Sequence, residues 1–180
     1  MSKQIIKPFE LLLQYEQRSL AHALSGSSDE SDRGDWSGIG FRIGDFHLVA
    51  EVDDVNEVVI LPDLIRIPGI DTWVLGLVNI RSNLIPAIDL KAFLTDDSAR
   101  ITKHSRMLVI NQPGGQAGLV VDEVFGQRHF TLSDRQEVES DDDSRVYLYC
   151  DKYFSHEGVV WNVFEIEQLV SDIKFQNAAV

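Results

Sequence analysis

Along this chain the spacing of apolar side chains changes near residue 36. Before it, Phe9, Leu12, Leu13, Leu20 and Leu24 fall near one face at 3.6-residue spacing, which predicts a helix over Lys7–Leu24. Pro8 suits its first turn, and Ser25-Gly26 suits its end. The stretch from Ser27 to Asp35 is polar, acidic and glycine-bearing, and reads as a linker. From Trp36 onward the period shortens to two. Ile39, Phe41 and Ile43 alternate with Gly40 and Arg42. Gly44-Asp45 makes a hairpin turn, and Phe46, Leu48, Ala50 and Val52 continue the alternation. Further strands are predicted over Val55–Leu61, Trp73–Ile80, Leu84–Ile88, Met107–Asn111, Ala117–Val124, Gln127–Leu132, Val146–Tyr153 and Gly158–Phe164. Short helices are predicted over Leu90–Leu94 and Ile166–Val170. About ten short strands bounded by turns predict an all-β fold built as barrels, not a parallel α/β sheet. The expected organisation is an extension over residues 1–35, a main domain over 36–172 and a tail over 173–180. No sequence repeat is evident, although two similar halves fit the strand count.

The segment from Gly76 to Leu90 is the most informative. It reads as a strand, a tight polar turn with Arg81 beside it, a second strand and a helical start. Gly76 permits close approach by a neighbouring chain, and Asn79 and Asn83 tolerate turn geometry. Pro86, lacking an amide proton, fits a strand only at an edge or bulge.

Charge narrows the function. Net charge is −13 with a sequence pI near 4.6. Such a polyanion is a poor partner for nucleic acid or an anionic membrane face, which leaves proteins. The acid excess equally serves solubility. With a single cysteine, Cys150, no internal disulfide can form, and its apolar setting suggests a buried structural thiol. No leading apolar segment follows the basic start, so a cytoplasmic location is expected.

Motifs for catalysis are not evident. Gly114-Gly115 lacks the continuation of a phosphate loop and reads as a hairpin turn, and Gly38-Ile39-Gly40 runs into an alternating strand. The five histidines, His22, His47, His104, His129 and His156, show no metal-ligand spacing, and no serine sits in Gly-x-Ser-x-Gly. Neither a metal nor a cofactor is expected.

The Gly76–Leu90 segment resembles the pattern Gly-x-x-Asn-Leu-Arg-Gly-x-x-x-Pro-x-x-Asp-Leu of the CheW-like family of coupling proteins. Val55-Asn-Glu57-Val-Val resembles the family's Val-x-Glu-Val, and Ile67-Pro68-Gly69 follows in order. Ala117-Gly-Leu-Val-Val-Asp122-Glu-Val resembles Gly-Leu-x-Val-Asp-x-Val, and Trp161-Asn-Val-Phe-Glu-Ile-Glu-Gln-Leu the closing strand and helix. The N-terminal helix, acidic linker and Trp36–Arg42 look more like the PilI branch, which acts in type IV pilus twitching motility. One departure stands out: the family usually has glycine where this chain has Ser82. Either Ser82 takes a strained positive φ or Asn83 takes over the position.

The resemblance implies two SH3-like five-stranded β-barrels packed on a shared core, without enzymatic activity. It implies a cytoplasmic adaptor, recruited to membrane-associated receptor arrays. That adaptor would join the tip of a methyl-accepting, PilJ-like chemoreceptor to the regulatory domain of a CheA/ChpA-type histidine kinase, with a flagellar coupling role as the alternative output. It further implies that Glu57 and Arg81 lie close and help set the partner-facing surface, with Val55, Gly76, Val78 and Asn79 near them. Trp73, at a loop end, is either an interface anchor or a packed core residue. Two other classes compete: a small acid/base hydrolase needs two carboxylates with perturbed pKa values in a pocket, and an RNA-binding barrel needs a basic aromatic stripe.

Overall fold

A computed structural model describes residues 35–137 and 144–178, so the expected N-terminal helix and all but the last residue of the acidic stretch Ser140–Ser144, expected as a loop between strands, lie outside the described residues. Among the described residues, eleven strands form two sheets. The first four are β1 (Asp35–Ile43), β2 (Phe46–Glu51), β3 (Val55–Ile60) and β4 (Val74–Ile80). Then come β5 (Asn83–Asp89), β6 (Arg106–Gln112), β7 (Gly115–Val121) and β8 (Glu123–Thr131). The last are β9 (Arg135–Glu137), β10 (Lys152–His156) and β11 (Val159–Val163). The described residues also include the short α-helices α1 (Leu90–Thr95), α2 (Ile166–Ser171) and α3 (Ile173–Ala178). The all-β, two-barrel expectation holds.

The barrels are nested, not consecutive. The inner sheet, ordered β3-β6-β7-β5-β4, is one continuous stretch of chain. The outer sheet, β8-β1-β2-β11-β10-β9, combines strands from both sides of it. Two similar halves in sequence order are therefore not what the chain forms. The apolar run Ala117–Val124 splits at Asp122 because its two parts belong to different sheets. Asp122 marks the crossing: its carboxylate accepts the Gly44 amide at 2.6 Å, and its own amide donates to the Arg42 carbonyl at 3.0 Å.

Alternation along the strands feeds three cores. Leu108, Ile110, Leu119 and Val121 from the inner sheet meet Phe41, Ile43, Leu48 and Ala50 from the outer sheet in a shared core that includes Phe93 and Phe164. Val78, Ile85, Met107, Val109 and Val120 fill the inner barrel, and Val49, Phe130, Phe154 and Trp161 the outer one. At roughly 1.5–3 kcal/mol per fully buried large side chain, these three clusters supply the main stabilising force.

Two segments differ from the pattern-based expectation. Arg145–Tyr149 is a 3-10 helix, not the start of a strand, because its two buried residues, Val146 and Tyr149, stand three apart. The expected tail carries α3, which is capped by Asp172 accepting the Lys174 amide at 2.6 Å and buries Phe175 completely. Cys150 is buried as expected, and burial pushes its thiol up to about 12. Among the described residues, no helix is long and apolar enough to cross a membrane.

Candidate functional site

The β4–β5 hairpin presents Arg81. Ile80 faces Asn83 across a two-residue loop, Arg81-Ser82, in which both residues have positive φ, 47° and 69°. Left-handed conformation at both loop positions is the signature of a type I′ turn, whose twist matches the flanking strands. Ser82, not Asn83, thus occupies the glycine-favouring position, and Asn83 opens β5. Pro86 sits before β5 begins to pair with β7 at Ala87, so its missing amide proton breaks no ladder bond on that side. Asp89 ends the segment by capping α1, accepting the Ala92 amide at 3.0 Å and the Ala99 amide at 2.8 Å.

Arg81 Nη2 donates to Glu57 Oε2 at 2.6 Å. β3 and β4 are the opposite edges of the inner sheet, so this bond spans its open seam and helps close the barrel. The Arg81 side chain is 82% exposed and that of Glu57 22%, which leaves most of the guanidinium facing solvent. Asn79 is exposed one strand position from the turn. The pairing implied for Glu57 and Arg81 is present.

Other candidates fall elsewhere. Trp73 is 4% exposed and packs edge-on to Phe93 at 4.8 Å, with Phe175 stacked at 6.4 Å, so it is a core residue and not an exposed anchor. Val78 is fully buried inside the inner barrel. Gly76 does permit a close approach, but the neighbour is this chain's own segment: a Cβ there would stand 2.3 Å from the Ile65 carbonyl oxygen. Val55 is half-buried against the shared core. Pattern reading overlooked Val58 and Ile60, 40% and 74% exposed on β3 beside Glu57. The signal lies in their alternation with Glu57 and Val59 inside the strand expected over Val55–Leu61.

Among the described residues, two carboxylates have raised pKa values. Burial lifts Asp54 and Glu165 above the ordinary carboxylate range, and neighbouring acids add to it: for Asp54, Glu51, Glu167 and Asp53; for Glu165, Asp151, Asp54 and Glu51. For Glu165, Lys152 opposes the shift. Both line a cleft of about 340 Å³ with Trp36, Phe154, Arg135 and Lys152. Among the described residues, no group of three His, Cys, Asp or Glu side chains is placed to hold a metal ion.

The model of the CheW-like domain matches residues 37–174. The chain belongs to the CheW-like domain family. Its β-barrel domain is similar to the crystal structure of scaffolding protein TtCheW from Thermoanaerobacter tengcongensis, at a TM-score of 0.65 and 20% identity, over 73% of this chain and 90% of that one. Protein PilI of Pseudomonas aeruginosa is 35% identical over 96% of this chain and 97% of its own length. Protein FrzA of Myxococcus xanthus is 32% identical over 52% of this chain and 59% of its own. The CheW-like match begins two residues into β1, whereas the PilI likeness also takes in most of the preceding segment.

Proposed function

We propose that this CheW-like protein is a non-enzymatic adaptor. It joins the cytoplasmic tip of a methyl-accepting, PilJ-like chemoreceptor to the regulatory domain of a CheA/ChpA-type histidine kinase, in control of type IV pilus twitching. The observation that carries the proposal is the Glu57–Arg81 pair on the inner barrel of a family member similar to Protein PilI. Arg81 gives that surface a planar fork with most of its donors free, held by Glu57 and the hairpin. Asn79 adds an exposed polar group on β4 next to the hairpin, while the exposed Val58 and Ile60 lie on the face of β3 opposite to Glu57 and form a separate apolar patch. Each contact is of modest affinity, and an array of receptors and kinases gains strength by multivalency.

Calorimetric titration with the kinase regulatory domain tests this. Wild-type chain binds saturably, and Arg81→Glu, folded by circular dichroism, binds more weakly. The pair is solvent-exposed, so the variant loses no more than ~1 kcal/mol of stability. No wild-type binding at high concentration refutes the kinase partnership. Unchanged binding by Arg81→Glu takes Arg81 out of that interface.

A further inference from the structure

The outer barrel holds an arginine, Arg128, that no acid among the described residues neutralises. Where β8 pairs with β1 the register slips: Gly40 faces Gly126, Phe41 faces Val124, and Phe125 is the extra residue of a β-bulge. Gly126 takes φ +78°, which a glycine accepts without strain. Bulges re-aim side chains, and this one sets Phe125 edge-on to Trp161 at 5.5 Å and stacked on His47 at 5.6 Å. The Arg128 guanidinium lies over both rings, 5.4 Å from the Trp161 centroid and 5.8 Å from that of Phe125. Gly40 leaves room for the stack, since a Cβ there would stand 2.9 Å from the Trp161 ring and 3.0 Å from Arg128 Cγ.

Arg128 forms no ion pair among the described residues, in a chain with 29 aspartates and glutamates. Its Nε is buried without an acceptor, while the residue as a whole stays partly exposed. The stem is thus fixed in the barrel, and the guanidinium is oriented by stacking with its charge unspent. A planar fork held in this way loses little freedom on gripping a carboxylate.

We propose that Arg128, framed by Phe125 and Trp161, docks a glutamate or aspartate side chain of a protein partner. Arginine is among the residue types that anchor protein interfaces, and half-buried Phe125 beside it adds apolar contact area, which favours a partner's side chain over a free acid; Trp161, 6% exposed, supports the guanidinium from within. The site is built from β1, β8 and β11 and shares no residue with the Glu57–Arg81 face, so it stands or falls independently of the kinase titration.

The test is proton–nitrogen correlation spectroscopy on the full chain, following the Arg128 Nε–H and Trp161 indole N–H signals. Three probes are titrated: N-acetyl-Leu-Glu-Leu-amide, its Leu-Gln-Leu counterpart, and acetate. The expected result is a saturable shift with the glutamate peptide, at least about tenfold tighter than with either other probe. Arg128→Ala abolishes it, and Arg128→Lys, which keeps the charge and loses the fork, weakens it. Equal binding of the glutamate and glutamine peptides, acetate binding as tightly as the peptide, or no shift with any probe overturns the proposal. The wild-type comparison decides even if a variant fails to fold.

Discussion

Gly76→Ala separates a structural glycine from an interface glycine. Gly76 has φ 138°, a region that L side chains rarely adopt, and strain of that kind is typically ~1–3 kcal/mol. The new methyl would also stand 2.3 Å from the Ile65 carbonyl oxygen and 3.0 Å from its carbon. Backbone cannot swing aside as a flexible side chain does, and Ile65 is tied to Leu77 by two hydrogen bonds of 2.8 and 2.9 Å. Overpacking of this sort adds ~1–3 kcal/mol. Together they predict a loss of about 2–6 kcal/mol, a large part of the ~5–15 kcal/mol that holds a typical domain together. At about 2–4 °C per kcal/mol for a chain of this size, the melting temperature falls by roughly 4–24 °C. Urea and thermal unfolding followed by far-ultraviolet circular dichroism measure both. A variant that keeps its stability within ~0.5 kcal/mol yet loses partner binding would refute this reasoning and return Gly76 to the interface.

Two further outcomes are expected. Ser82→Gly relieves a left-handed residue, and after the extra unfolded-state entropy of glycine is subtracted it stabilises by about 0.5–1 kcal/mol in urea unfolding; a loss of stability contradicts the turn geometry. The Tyr149 phenol is pushed up to about 12 by burial first and then by its hydrogen bond to Asp172, so its stabilisation is complete below its ordinary 10.0 and disappears as pH rises through about 12. Tyr149→Phe therefore loses ~1 kcal/mol at neutral pH but has a shallower alkaline decline, with the buried Cys150 thiol still contributing its share; parallel stability–pH curves for the two proteins count against it.

Period-two alternation located most strands because each sheet buries one face or both, and turn residues marked the hairpins at Gly44-Asp45 and Pro113-Gly114. What alternation does not encode is which sheet a strand joins. Nothing in Val120-Val121-Asp122-Glu123-Val124 distinguishes a strand that continues from a chain leaving one sheet for another; the Asp122–Gly44 bond that decides it joins residues 78 apart. Tyr149 and Val146 were misread because an apolar aromatic run satisfies a strand and a 3-10 turn alike until their spacing against the core is known. At the candidate site, Glu57 and Arg81 were legible through family resemblance, not through local chemistry. Trp73 was not, since its burial depends on Phe175 returning from the far end of the chain. Arg128 left no mark because a bulge, invisible in composition, assembles its surroundings.

Nesting also sets a timetable for synthesis. β1 and β2 emerge first but have only each other until β8–β11 follow, whereas β3–β7 are complete and contiguous once Val121 is made. The inner barrel can close while the rest of the chain is still being translated; the outer one must wait and then join strands across a long loop, with its larger entropic penalty and slower rate. In the interval Leu108, Ile110 and Leu119 present half of the shared core to water. A chain stalled or cleaved before β8 would therefore be a folded barrel with an uncovered apolar face, the kind of fragment that aggregates or is captured by chaperones.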